Sequence, residues 1–168
     1  MNEMAASAID TIVVGYDGSE SSRRALERTA DLAQALGARV VVTSVVPALL
    51  EAATAAAAGD PLGPAVAVTT PTPEDLAQAD RRAVEERSAR LEEPVSFLEA
   101  RGISAEPSIR RGDAVDQLLE TADDHSADLI VVGSEDRGLL DRLFGGDLSQ
   151  RVARKAKCDV LIVHSDHD

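Results

Sequence analysis

Residues 129–138 and 145–150 of the chain read Leu-Ile-Val-Val-Gly-Ser-Glu-Asp-Arg-Gly and Gly-Gly-Asp-Leu-Ser-Gln. A continuous apolar run, a glycine-bearing loop and the start of a helix follow one another, which is typical of a phosphate site at a helix N-terminus. The loop is nevertheless acidic where an anion would lie, because its four acidic residues outnumber its two arginines. They are Glu135, Asp136, Asp141 and Asp147 against Arg137 and Arg142. The stretch predicts a nucleotide site whose phosphate end is altered.

Apolar runs alternate with helical patterns on both sides of this stretch. Helices with apolar residues at three- and four-residue spacing are predicted between capping residues: Ser19 to Gly37, Thr72 to Gly102, from Asp113, and Asp147 to Lys157. The runs between them predict five strands: Ile12–Val14, Val40–Val46, Ile103–Ile109, Asp128–Val132 and Asp159–His164. Strict alternation with strands apolar at nearly every position predicts an α/β fold, a doubly wound, Rossmann-like, five-stranded parallel sheet with helices on both faces.

The chain of 168 residues has the length of one domain, 1–168. Glycine, proline and threonine accumulate over 48–72, which predicts a mobile loop inserted into the fold, and residues 165–168 form a tail. Pro94 lies inside the second helical pattern, where proline removes one hydrogen bond and costs about 3 kcal/mol. We therefore expect a kink or a break near Glu93.

The ends of the first and fourth strands are the richest in glycine and polar residues, at Gly15 to Gly18 and at Gly133 and Ser134. Ligands of doubly wound sheets bind outside the carboxyl ends of the strands where the winding reverses. If the two strands are neighbours, both loops face one crevice. Asp17 and Ser19 fit equally well as a turn residue and a helix N-cap, so the ligand role and the structural role both stay open.

Composition argues against several partners. The chain carries 17 basic and 30 acidic residues, a net charge of -13, which opposes binding to nucleic acid and to anionic membranes. Only 2% of the residues are aromatic, so platforms for stacking nucleic-acid bases are lacking. The start has no basic leader and no apolar run reaches membrane-spanning length, which predicts a cytoplasmic protein. Cys158, the single cysteine, is expected to be a small buried hydrophobe.

Three segments together carry a resemblance to a known family: Val-Val-Gly-Tyr-Asp-Gly-Ser at 13–19, Ala-Asp-Leu-Ile-Val-Val-Gly-Ser at 127–134, and Ser-Gln-Arg-Val-Ala-Arg-Lys-Ala-Lys-Cys-Asp-Val-Leu-Ile-Val at 149–163. In their order and spacing they resemble the universal stress protein family. The resemblance covers nearly the whole chain and leaves out only the 48–72 loop and the termini. It implies the universal stress protein fold and a stress-response regulator.

Family members that bind ATP show Gly, two residues, Gly, nine residues, Gly and then Ser or Thr. By that resemblance Gly133 and Gly146 match, whereas Asp136 and Asp147 replace the second glycine and the hydroxyl residue. The resemblance further implies nucleotide contacts from another set of residues. Gly15 and Asp17 would lie at the adenosine end, Val45 at the adenine edge and Ser149 at a phosphate. Ser134 and Arg137 on the loop are further candidate contacts; Arg137 fits a solvated side chain or a cation that offsets Asp136 for a bound phosphate, and both interpretations stay open.

The two aspartates predict weakened binding of the triphosphate. A carboxylate about 4 Å from a phosphate charge costs roughly 4 kcal/mol at an effective dielectric of about 20, close to a thousandfold in affinity. A less charged adenine nucleotide, AMP or cyclic AMP, therefore fits better than ATP, and a role for Mg²⁺ stays open. Asp147 with Gln150 also has capping-box spacing, so the chain can supply its own anion to that helix.

The alternative hypothesis is a nucleotide-free, dimeric protein-interaction module of the same fold, in which Asp136 and Asp147 close the site. Under both hypotheses the resemblance implies a homodimer through the last strand. That strand, with Val160, Leu161, Ile162 and Val163, ends the chain and is expected at a sheet edge.

Enzyme classes are disfavoured, with slow, incidental ATP hydrolysis as the upper limit. The sequence has no Gly-x-x-x-x-Gly-Lys-Ser/Thr loop, and its three histidines are scattered without metal-ligand or triad spacing. A phosphoacceptor receiver domain shares the architecture. Its phosphorylatable aspartate is missing, however, because the third strand ends in Arg110-Arg111-Gly112.

Overall fold

The computed structural model of the chain describes residues 8–48, 71–134 and 148–164. Within them the elements follow in the order β1 (Thr11–Gly15), α1 (Glu20–Leu36), β2 (Arg39–Val46), α2 (Pro73–Ala100), β3 (Ala105–Arg111), α3 (Ala114–Asp124), β4 (Leu129–Gly133), α4 (Leu148–Lys155) and β5 (Asp159–Val163). The predicted strand and helix alternation is confirmed. Boundaries move by up to two residues, most clearly in β3, which begins at Ala105 rather than at Ile103.

The five strands form one sheet in the order β3-β2-β1-β4-β5, and every neighbouring pair is parallel. The predicted α/β, doubly wound fold is therefore confirmed. Strands β1 and β4 lie side by side, with Val13 opposite Ile130. The winding reverses between them, and β3 and β5 are the two edges of the described sheet.

Aliphatic side chains fill both faces of the sheet. One face packs against α1 and α2 through a cluster that includes Ile12, Val14, Val42, Leu91 and Leu98. The opposite face packs against α3 and α4 through Val13, Val41, Leu118, Ile130 and Val152. Alternate residues of β1 and β2 enter opposite clusters, as the two-residue period of a strand requires. At the carboxyl ends of the strands, a side chain can therefore reach only the side of the sheet on which its own cluster lies.

The helix boundaries follow the predicted capping residues. The Ser19 hydroxyl accepts a hydrogen bond from the Ser22 N–H at the start of α1, and Gly37, with φ of 71°, ends that helix. Thr72 and Asp75 form a reciprocal capping box at the start of α2. Local sequence therefore determines where α1 begins and ends and where α2 begins.

We expected a kink or a break near Glu93; α2 continues through Pro94, so the break is wrong. Leu91, Pro94 and Leu98 are the buried residues of this helix, and at this spacing they share one face. Burying each leucine stabilises the fold by about 1.5–3 kcal/mol. One such leucine precedes the proline and one follows it, and together they offset its cost of about 3 kcal/mol.

One further expectation is corrected, and two others fall largely outside the described residues. Cys158 is only half-buried and packs at the margin of the second cluster, and desolvation raises the pKa of its thiol. The predicted loop over 48–72 lies outside the described residues except at its ends, as does the tail at 165–168.

Candidate functional site

A cavity of about 260 Å³ lies at the carboxyl ends of β1, β2 and β4, where the winding reverses. Its volume is near the lower end of the range for small-molecule sites, roughly 300–1,000 Å³. The walls combine polar groups from the start of α1 with aliphatic groups from α3 and α4. The described lining residues are Gly15, Tyr16, Asp17, Ser19, Ser21, Ser22, Thr43, Val45, Arg87, Ala114, Leu118, Val132, Gly133 and Leu148.

The end of the β1–β2 ladder opens main-chain groups to this cavity. The last paired residues are Gly15 and Thr43, and one further bond joins the Tyr16 N–H to the Thr43 carbonyl at 2.8 Å. Val45 lies beyond the last β1 residue of the ladder and directs its main-chain N–H and C=O to the same side as Thr43. A donor and an acceptor on one strand edge can read the edge of a planar heterocycle.

Asp17 combines a turn role with a place at the cavity. Its Oδ1 accepts the Ser19 N–H at 2.9 Å, and Asp17 and Ser19 both line the cavity. Desolvation by the surrounding protein would raise the pKa of the carboxyl. Hydrogen bonds from Ser19 and Ser22 and the nearby Arg87 guanidinium outweigh it, so the pKa of Asp17 lies below its usual value. Asp17 is therefore a fixed anion at neutral pH.

Gly133 brings β4 and α1 into close approach. A Cβ built on Gly133 would lie 2.5 Å from the Ser21 carbonyl oxygen and 2.6 Å from its carbonyl carbon. Only glycine lets the first turn of α1 approach the end of β4 this closely. The same residue lines the cavity, so Gly133 has a packing role beside the predicted ligand role.

The remaining predicted residues are spread more widely. Ser134 follows β4, and its hydroxyl is 2.9 Å from Nδ1 of His164. Ser149 is fully buried on α4. Neither belongs to the described lining, whereas Gly15, Asp17, Val45 and Gly133 do. Arg137, Gly146 and the two departures from the family pattern, Asp136 and Asp147, lie outside the described residues.

Sequence reasoning missed several cavity residues, among them Arg87 and Thr43. Arg87 lies one helical turn before Leu91, on the buried face of α2, and its Nη1 donates to the Ser44 hydroxyl at 3.2 Å. Thr43 is only 1% exposed, and its hydroxyl has no hydrogen-bond partner among the described residues. The available signals were a cation extending an apolar helix stripe and a hydroxyl within a valine-rich strand.

The described ranges, 8–48, 71–134 and 148–164, contain neither a cluster of metal-ligating side chains nor a helix of membrane-spanning character. No group of three histidine, cysteine, aspartate or glutamate residues there could hold a metal ion. No helix in these ranges is both long and apolar enough to cross a bilayer.

Comparison with known proteins links the chain to others of the same architecture. Residues 8–164 match the sequence model of the universal stress protein family. The universal stress protein Rv1636 of Mycobacterium tuberculosis is 35% identical over 159 residues, which cover 95% of this chain and 99% of that protein. The similarity therefore extends over all the elements described above.

Solved structures agree with the sequence comparison. A universal stress protein crystallised in complex with cAMP is 31% identical, with a TM-score of 0.65 and coverage of 95% of this chain and 100% of that one. The protein MJ0577 superposes with a TM-score of 0.74 at 19% identity, covering 96% of this chain and 99% of that one. The second likeness shows the shared fold alone.

Proposed function

The chain belongs to the universal stress protein family, and from that premise we propose that it is a cytoplasmic stress-response protein that binds an adenine nucleotide as a regulatory ligand. The observation that carries the proposal is the cavity at the ends of β1, β2 and β4, lined by Gly15, Asp17, Val45 and Gly133. A relative with 31% identity crystallised with cAMP supports the choice of ligand.

The geometry supports an adenosine-sized ligand. Main-chain groups of Val45 meet the base edge, the Asp17 carboxylate accepts hydrogen bonds from ribose hydroxyls, and Leu118, Val132 and Leu148 cover the apolar face. The fixed negative charge of Asp17 disfavours phosphate at this end. The phosphates would therefore extend toward Gly133 and the loop that follows it.

Low ligand charge is the second part of the proposal. Asp136 and Asp147 follow Gly133 in sequence at positions where ATP-binding relatives have glycine and a hydroxyl residue, so AMP or cyclic AMP is preferred over ATP. We propose binding rather than catalysis. At the cavity the Ser19 hydroxyl caps α1, and the Ser22 hydroxyl donates to the Ser19 carbonyl, so both hydroxyls have partners within the first turn of that helix.

Calorimetric titration with AMP, cyclic AMP and ATP tests the proposed order. We expect ATP to bind weakest to the wild type, and the double variant Asp136→Gly/Asp147→Ser to gain at least tenfold in ATP affinity, because two like charges are removed. Cyclic AMP affinity should change less. Tightest binding of ATP to the wild type, or an unchanged ATP affinity in the double variant, contradicts the charge argument.

A homodimer through β5 completes the proposal. This strand is an edge of the described sheet, and Val160, Leu161, Ile162 and Val163 are all only half-buried in the single chain. An exposed apolar edge strand favours pairing with a second copy. The same edge would support the alternative function, a dimeric interaction module without nucleotide, which failure of every nucleotide to bind would favour.

A further inference from the structure

Arg87 lies at the cavity because of where α2 places it. It precedes Leu91 by four residues and so extends the buried stripe of α2 by one turn toward the ligand edge. Asp80, seven residues earlier, pairs with Arg111 at the end of β3 at 2.9 Å. The first half of α2 therefore rises past the strand ends, and Arg87 is the side chain that it turns toward the cavity.

A buried serine anchors the guanidinium. Ser44 is 2% exposed and shares a sheet face with Val42, the face covered by α1 and α2, and its hydroxyl accepts from Nη1 of Arg87. Leu118 and Val132 belong to the cluster on the opposite face. The cavity thus has a cationic, planar group on one wall and aliphatic side chains on the other.

The neighbourhood of Arg87 suits an uncharged planar group better than a phosphate. Asp17 also lines the cavity and feels the charge of Arg87. A phosphate placed against the guanidinium would meet that carboxylate as well, so repulsion offsets much of the attraction. A purine carries no net charge, and its ring matches the planar guanidinium in shape.

Aromatic side chains do not fill this role in the described lining. Tyr16, its one aromatic member, is 8% exposed and packs within the first core cluster. Phe97 lies on α2, where the Cζ atom of Arg101 is 5.7 Å from the centre of its ring, and it does not line the cavity. Arginine planes replace aromatic rings as stacking surfaces for bases in nucleotide recognition.

We propose that Arg87, anchored by Ser44, is a specificity-determining residue that stacks on the purine of the bound nucleotide, against the aliphatic wall formed by Leu118 and Val132. The inference rests on the proposed nucleotide-binding function and assigns the base, rather than the phosphate, to this arginine. A ligand without a planar base, such as ribose 5-phosphate, should then have the same affinity for the wild type as for a variant that lacks Arg87.

Two variants of Arg87 separate stacking from charge. Arg87→Lys retains the charge and loses the plane, whereas Arg87→Gln loses the charge. Arg90→Lys, on an exposed position of the same helix, is the matched control. Adenosine and cyclic AMP are titrated calorimetrically into each protein, and urea unfolding verifies that the variants remain folded.

If Arg87 stacks on the base, Arg87→Lys lowers the affinities for adenosine and for cyclic AMP by the same factor, about tenfold. The affinities of Arg90→Lys match those of the wild type. Wild-type affinity of Arg87→Lys for adenosine overturns the inference. So does a loss confined to cyclic AMP in Arg87→Gln, which would assign the guanidinium to the phosphate. Failure of the wild type to bind either ligand overturns the proposed function together with this inference.

Discussion

Gly133 gives the most direct test at the residue scale, because its Cβ would meet backbone rather than a flexible side chain. Gly133→Ala should lower the free energy of unfolding by about 1–3 kcal/mol, the usual effect of overpacking a core. Gly15→Ala is the matched control, since its Cβ would make ordinary contacts of 3.5 Å with Leu118. Urea denaturation of both variants measures the difference. Equal stability of Gly133→Ala and the wild type would show that α1 does not approach β4 as described.

Thr43 carries a buried hydroxyl that has no hydrogen-bond partner in the part of the chain that the structure describes. Thr43→Val keeps the shape and removes the hydroxyl, so the ligand-free protein should gain about 1 kcal/mol or more in unfolding free energy. Thr29→Val is the control, because the equally buried Thr29 hydroxyl donates to the Ala25 carbonyl at 2.7 Å and its removal should destabilise. Denaturant midpoints compare the two. Destabilisation by Thr43→Val of the same size as by Thr29→Val would mean that the Thr43 hydroxyl has a bound partner.

Sequence reasoning located some cavity residues and missed others for a physical reason. Gly15, Asp17 and Gly133 follow short apolar runs, and the topology of parallel sheets alone brings such strand ends to one edge. Arg87 reaches the cavity only because α2 continues unbroken past the strand ends. The Thr43 hydroxyl stands out within its valine-rich strand, but the sequence does not show whether it is paired, because that depends on tertiary contacts.

At the scale of the element, the two halves of α2 differ in burial. Its buried residues, Leu91, Pro94 and Leu98, all lie in the second half, while the turns before Arg87 are largely exposed. Of the kink or break expected near Glu93, the break was wrong because local helix propensity counts the hydrogen bond that Pro94 removes but not the packing on both sides of it. Sequence alone does not show how much of a helix face the sheet covers.

This division predicts uneven hydrogen exchange along α2. Amides of residues 91–100 should exchange with protection close to that of global unfolding, and amides of residues 77–86 much faster through local opening. Saturating cyclic AMP should slow exchange around Arg87, because the ligand fixes that turn. Mass spectrometry of deuterated peptides resolves the two halves. Uniform protection of α2 without ligand would contradict the description.

Basic residues on and just after α4 pair with acidic residues of a neighbouring element. The structure pairs them with acidic residues at and along α3: Arg151 with Asp113, Lys155 with Asp116, and Lys157 with Asp123. The pairs are exposed, so each stabilises by no more than about 1 kcal/mol. The sequence does not identify these partners, because α3 and α4 are separated along the chain and meet only in the folded structure.

At the scale of the whole molecule, net charge opposes the proposed dimer. Each chain carries -13, so two copies repel one another at low ionic strength and salt screens that repulsion. Sedimentation equilibrium at low and at moderate salt should therefore show a dimer fraction that rises with salt. A dimer that dissociates as salt is added would point to an interface held by ion pairs instead of the apolar β5 edge. A monomer under all conditions would remove the dimer from the account.

The central claim is that the cavity at the ends of β1, β2 and β4 holds an adenine nucleotide, and ¹H–¹⁵N correlation spectra recorded during titration of the nucleotide-free protein with cyclic AMP test it most directly. We expect saturable shifts concentrated at the amides of Gly15, Asp17, Val45 and Gly133, with the amides of β3 residues Ala105 and Glu106 unmoved as the internal reference. Spectra that do not change, or shifts confined to surfaces away from this cavity, would contradict it.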